Sequence, residues 1–100
     1  MRESKIESDF AKWVRGQGGL FLKLALLGMM GFPDRTILMP GGRVFFLEFK
    51  TPTGRVSPQQ TYWIERLRAL GFVAEVVRSV DEAVYIVEQL STDAGRQRRK

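Results

Sequence analysis

The sequence predicts a mixed α/β domain of order α-β-β-β-α-β-α, with a mixed sheet flanked by helices, and three stretches carry that expectation. The first is Val44-Phe45-Phe46-Leu47-Glu48-Phe49-Lys50. Alternation along a strand puts Val44, Phe46, Glu48 and Lys50 on one face, and Phe45, Leu47 and Phe49 on the other. Both faces are apolar, as in a central strand covered on both sides. The second is the spacing of Ile6, Phe10, Trp13 and Val14, a single stripe at the helical period. The third is Ser57-Pro58-Gln59-Gln60, which opens a helix with an N-cap serine, a proline at N1 and a glutamine at N3.

In chain order, the first helix runs from Glu3 to about Gln17, and Gly16, Gly18 and Gly19 end it. Leu20 to Leu24 is a first strand, with Lys23 facing away from Leu20, Leu22 and Leu24. Gly28 to Gly31 leads to the Pro33-Asp34 turn. Asp34 begins the second strand, and Met39-Pro40-Gly41-Gly42 is the hairpin turn into the third. That pairing brings Asp34 and Glu48 to the same end of adjacent strands. Thr51 to Val56 is a loop. In the helix that follows, Trp63, Ile64, Leu67 and Leu70 form the apolar face and Gly71 the C-cap. Phe72 to Val77 is a fourth strand. Ser79-Val80-Asp81-Glu82 reads as a second capping box, opening a helix through Leu90 whose inner face is Ala83, Ile86, Val87 and Leu90.

One hundred residues make one domain with one modest core, here 1–90, followed by a polar, basic tail, 91–100, expected to be disordered. The chain has no cysteine and no histidine. Disulfides, thiolate chemistry, Cys/His zinc sites and imidazole base catalysis are thereby excluded, and the absence of cysteine fits a cytoplasmic protein. The apolar run from Gly19 to Met30 is too short to span a bilayer and contains Lys23, and Met1-Arg2-Glu3 leads into a helix rather than a secretory signal. The formal charge is +5, but Arg96, Arg98, Arg99 and Lys100 in the tail account for most of it. The body is only mildly basic, so charge alone gives thin support for a polyanionic partner.

Glu48 and Lys50 interrupt an otherwise greasy strand, and a charge pair there is costly unless something compensates it. A divalent cation shared by Glu48 and Asp34 would do so. Hard ions such as Mg²⁺ or Mn²⁺ take carboxylate, carbonyl and water oxygens, and the carbonyl of Phe49, between Glu48 and Lys50, is the expected third ligand. Lys50 shares the face of Glu48, where its ammonium can orient an attacking water or neutralise a phosphate. The plain alternative, a surface ion pair on an edge strand, is opposed by the apolar character of both faces.

The string Gly-Phe-Pro-Asp-Arg, Phe-Leu-Glu-Phe-Lys-Thr-Pro and Gly-Arg-Val-Ser-Pro-Gln-Gln, in that order, resembles the VRR-NUC branch of the PD-(D/E)XK nucleases, close to the small versions of phages and prophages. The likeness runs from Glu3 to about Val80. It implies a restriction-endonuclease-like core, αβββαβ(α), and catalysis by Asp34, Glu48 and Lys50. It also implies that a glutamate of the first helix completes the metal sphere. Glu7 is taken first, from its distance to the glycines; Glu3 matches the leading acid of the Glu-x-x-Ile start, and the two share a helix face. The plain reading of Glu3 is an acid favouring the helix dipole. Gln60 is a capping residue on chemistry alone, and the family's Ser-Pro-x-Gln motif places it beside the acids. Arg35 and Arg55 flank the site and are expected to contact DNA phosphates, unless they are ordinary surface arginines. Lys23 carries the same two readings, evenly balanced. Trp13 and Trp63, in helical phase, are assigned to packing rather than base stacking.

The resemblance therefore implies a metal-dependent, structure-selective DNA endonuclease from a phage or prophage, acting in the bacterial host as a homodimer. Holliday junctions lead as substrate, with flap or other branched DNA as the alternative. Leu26, Leu27, Met29 and Met30 are candidates for the dimer contact or for ordinary core. The rivals from other classes are a noncatalytic DNA-binding module and an accessory subunit of a phage replication assembly.

Overall fold

The computed structural model describes residues 2–24 and 26–90. The expected basic tail lies outside the described residues. Helix α1 spans Glu3–Gly16, strand β1 Leu20–Lys23, β2 Arg35–Met39 and β3 Arg43–Phe49. Helix α2 spans Pro58–Ala69, β4 Val73–Val77 and α3 Val80–Tyr85, after which Ile86–Leu90 widens into a π-helical turn. The four strands form one mixed sheet in the order β1-β2-β3-β4. The pairs β1–β2 and β2–β3 are antiparallel, and β3–β4, joined through α2, is parallel. The expected element order is therefore the observed one.

The alternation in β3 divides the molecule into two cores. Phe45, Leu47 and Phe49 are buried with Ile37 and Val77 against Ile6, Phe10 and Val14 of α1 and against Ala83, Ile86 and Val87. Phe46 turns the other way and joins Phe32, Phe72 and Val76 around Ile64, Leu67 and Ala74. Strand β3 is thus covered by α1 and α3 on one side and by α2 on the other. Trp13 packs on the first core, stacked on Phe10 at 5.7 Å, and Trp63 meets the ring of Phe32 at 5.5 Å.

Three local expectations change. Leu70, assigned to the apolar face of α2, is the helix C-cap and is exposed. A residue at the C-cap lies one turn past the stripe that α2 lays on the sheet. In β1 the inward residue is Phe21, which packs on Phe10 and Phe49, while Leu20 and Leu24 are exposed. The second capping box closes by half: the Ser79 hydroxyl accepts from the Glu82 N–H at 3.1 Å, but the Glu82 carboxylate reaches past Ser79 to accept the Arg78 N–H at 2.6 Å.

The segment before β2 is tied to the start of α2. Gly31 has φ +89°, and a Cβ built there would stand 2.5 Å from Gln59 Cβ and 2.9 Å from Gln60 N. Trp63 Nε1 donates to the carbonyl of Met30 at 3.1 Å. The turn that delivers Asp34 is therefore pressed onto the turn that carries Gln60. Gly31→Ala combines a left-handed backbone with a backbone clash, and is expected to cost about 2–4 kcal/mol. Urea unfolding measures it; a loss below 1 kcal/mol would mean that the contact relaxes freely.

Candidate functional site

Glu48 lies on the α2 side of the sheet, in the last turns of β3, and is only 7% exposed. One step beyond the Arg35–Leu47 pair, the register brings Asp34 opposite it, and the Asp34 N–H donates to the Glu48 carboxylate. Lys50 Nζ stands 4.0 Å from Glu48 Oε2 on the same face. Gln60 arrives from α2 and donates through Nε2 to Glu48 Oε2 at 3.2 Å. Its two readings are compatible. Gln60 Oε1 accepts the Ser57 N–H at 2.9 Å while its own N–H donates to the Ser57 hydroxyl at 3.1 Å, so a single amide closes the capping box and steadies the acid.

Burial pushes the Glu48 carboxyl up to about 7, and the charge of Asp34, with a smaller push from Glu3, adds to the rise. Lys50 and the Asp34 N–H oppose it. Two carboxylates crowded into a partly dry site make an electrostatic deficit that a divalent cation would fill. Among the described residues, no group of three or more Asp, Glu, His or Cys side chains stands ready to hold a metal. Two carboxylates nevertheless suit Mg²⁺ or Mn²⁺, which keep several waters and are held by one or two carboxylates plus substrate phosphate. Phe49 closes β3 between the acid and the lysine, with its ring in the opposite core.

The glutamates of α1 separate. Glu7 takes Arg35 in a two-pronged ion pair, with Nε to Oε2 at 2.8 Å and Nη2 to Oε1 at 3.1 Å. Arg35 pairs in register with Leu47 and Lys23, so its side chain lies on the α1 face, opposite to Glu48. There its guanidinium sits over the Phe21 ring at 5.1 Å, and the bond from Glu7 raises its pKa. Glu7, taken first in the sequence reading, is thus occupied on the wrong side of the sheet. Arg35, expected to reach phosphate, has its guanidinium committed to Glu7. Glu3, one turn earlier, is exposed at the start of α1, and its charge acts on both Glu48 and Arg35. Arg55 and Lys23 are exposed, in the loop after β3 and at the end of β1.

One buried group here drew no notice in the sequence. The Thr36 hydroxyl, two residues along β2 from Asp34, is buried without a hydrogen-bond partner among the described residues. A threonine in a strand carries no signal of that, because β-branched residues are ordinary there. The tie from Trp63 to the Met30 carbonyl was equally silent, since it joins residues far apart in the chain.

Residues 27–81 match the model of a family described as the VRR-NUC domain. That span contains Asp34, Glu48, Lys50 and Gln60 but not Glu3 or Glu7. "Putative nuclease p44" of Acyrthosiphon pisum secondary endosymbiont phage 1 is 37% identical over 81 residues, which are 81% of this chain and 87% of that protein. A solved structure described as "VRR_NUC domain" superposes with a TM-score of 0.79 at 28% identity, covering 87% of this chain and 95% of the other. Another, "VRR_NUC domain protein", gives a TM-score of 0.73 at 20% identity over 89% of this chain and 87% of its own; that likeness is one of fold.

The raised Glu48 value has a consequence for stability. Between the ordinary 4.5 and about 7 the folded chain keeps a proton that the unfolded chain has released. The contribution of Glu48 to stability without metal is therefore most favourable below about 4.5 and falls as the pH rises from there through about 7. Glu48→Gln removes the penalty and leaves a side-chain oxygen to accept from Gln60 Nε2. In EDTA it is expected to raise the melting temperature by several degrees at pH 8 and by much less at pH 5. Equal gains at both pH values would show that Glu48 is not a destabilising buried charge.

Proposed function

Since the chain belongs to the VRR-NUC domain family, we propose that it is a metal-dependent DNA endonuclease of the PD-(D/E)XK type. The observation that carries this is the convergence of Asp34, Lys50 and Gln60 on the buried carboxylate of Glu48. The nuclease name of the phage relative supports it. Asp34 and Glu48 would hold Mg²⁺ or Mn²⁺, with the Phe49 carbonyl as a further oxygen donor. When bound, the ion supplies positive charge to the phosphodiester as its transition state gathers negative charge.

The protein's own groups do the rest. Gln60 fixes the orientation of the Glu48 carboxylate. Lys50 orients the water that adds to phosphorus and screens the phosphate oxygens while the P–O bond to the leaving strand breaks. Glu3, at the start of α1, would complete the acidic rim, whereas Glu7 keeps Arg35 out of it. Arg55, exposed in the loop after β3, would receive a flanking phosphate, whereas Lys23 shares the Arg35 face of the sheet, away from Glu48.

Branched DNA, with the Holliday junction first and flaps next, is the substrate class we assign, with a homodimer as the cutting unit and the bacterial cytoplasm as the place of action. The apolar surface at the β1 end favours the dimer. Leu27 is 99% exposed, Met30 79% and Leu20 56%, and Leu24 and Leu26 are exposed as well. Strand β1 is an edge strand, so this surface adjoins a free sheet edge. Among the described residues no helix is long and apolar enough to cross a membrane.

Two experiments test the reading. Incubating branched DNA with Mn²⁺ should give nicks that EDTA abolishes. Asp34→Ala and Glu48→Ala should each lower the rate by at least about 10²-fold while circular dichroism stays native; normal cleavage by folded Asp34→Ala overturns the site. In sedimentation, the wild-type chain is expected to run as a dimer and the Leu24→Asp/Leu27→Asp variant as a monomer. A wild-type monomer at high concentration removes the dimer.

A further inference from the structure

Arg78 is a half-buried cation that the chemistry above leaves without a task. It follows β4 directly, and its backbone N–H is fixed by the Glu82 carboxylate at the cap of α3. From there its Nη1 reaches across to the loop that leaves β3. It donates to the carbonyls of Thr51 at 2.8 Å and Gly54 at 2.7 Å, with a longer contact to Pro52 at 3.4 Å. Carbonyl dipoles converging on a single guanidinium nitrogen form a tether of charge-assisted bonds.

The tethered loop is the one that begins at Lys50. The Lys50 N–H still belongs to the sheet, donating to Val77 at 2.9 Å, and the Gly54 N–H turns back to the Thr51 carbonyl at 3.1 Å. Gly54 is folded so tightly that a Cβ there would lie 3.2 Å from Thr51 Oγ1 and 3.5 Å from Lys50 Cβ. A side chain at position 54 would therefore meet the root of the Lys50 side chain. Arg78 holds Gly54 through its carbonyl. We infer that Arg78 is a positioning residue: it clamps the 51–54 loop against Lys50 and thereby sets where the Lys50 ammonium stands relative to Glu48.

The inference deepens the nuclease reading and rests on it for its effect on cleavage, but the clamp has a readout of its own. Hydrogen exchange at the Gly54 amide and the side-chain NMR signals of Lys50 report the loop and the lysine whether or not DNA is cut. Arg78→Ala is expected to speed Gly54 exchange and to shift the Lys50 signals. It should lower kcat about 10- to 100-fold, with binding of branched DNA in EDTA changed less than twofold. Guanidinium ion at low millimolar concentration is expected to restore part of the lost rate in Arg78→Ala and to leave the wild type unchanged. Arg78→Lys, a milder change should the alanine variant unfold, replaces a planar fork with a compact point charge and should fall between the two.

Unchanged Lys50 signals and unchanged Gly54 exchange in a folded variant overturn the clamp. A wild-type kcat with a loosened loop overturns its role in positioning. Weakened DNA binding at normal kcat makes Arg78 a phosphate contact instead. A wild-type protein that cuts no branched DNA would sink the nuclease reading, and the NMR and exchange results would still decide the clamp.

Discussion

A carboxylate on an interior strand is the constraint around which the molecule is arranged. Glu48 sits between β2 and β4, beneath α2, where water reaches it poorly. A free glutamate in that position would rather be neutral, which is why its pKa rises to about 7. The surroundings supply partial remedies: one N–H from Asp34, one amide from Gln60, and the Lys50 ammonium at 4.0 Å. Asp34 adds a second negative charge rather than relieving the first. A site left short of positive charge, and built from oxygen donors, is of the kind that the proposed hard cation would suit.

The sheet also acts as a divider between charges. Asp34 and Arg35 are neighbours in sequence, yet alternation sends them to opposite faces. Arg35 goes to the α1 side, where Glu7 and the Phe21 ring receive it. Were the two charges on one face, the arginine would neutralise Asp34 and compete with any metal. Glu7 thus retains that cation on the α1 side. Lys50, two residues from Glu48 on the same strand, remains as the cation close to it on the acids' face.

Both chain segments that border the acids are anchored to distant elements. The approach to Asp34 is pressed onto α2 at Gly31 and tied by Trp63. The exit from Lys50 is tied by Arg78 at the end of β4. Loops next to reacting groups are commonly the mobile part of a fold. Here the anchoring groups come from the parallel β3–α2–β4 unit, the same unit that buries Glu48. Rigidity at the site and burial of its acid are two results of one crossover.

Much of this was legible in the chain. The period of Ile6, Phe10 and Val14, the two apolar faces around Glu48, and the serine and proline before Gln60 are local patterns. Each reflects backbone geometry that repeats over a few residues, so they gave the elements, their order and the central strand. The shared face of Glu48 and Lys50 follows from the same alternation. What the tertiary structure decided was pairing across elements. That Glu7 is taken by Arg35, and which cation holds the 51–54 loop, depend on strand register and on which face each helix covers. Those are settled by packing between residues as far apart as Glu7 and Arg35, or Thr51 and Arg78, and no local period records them.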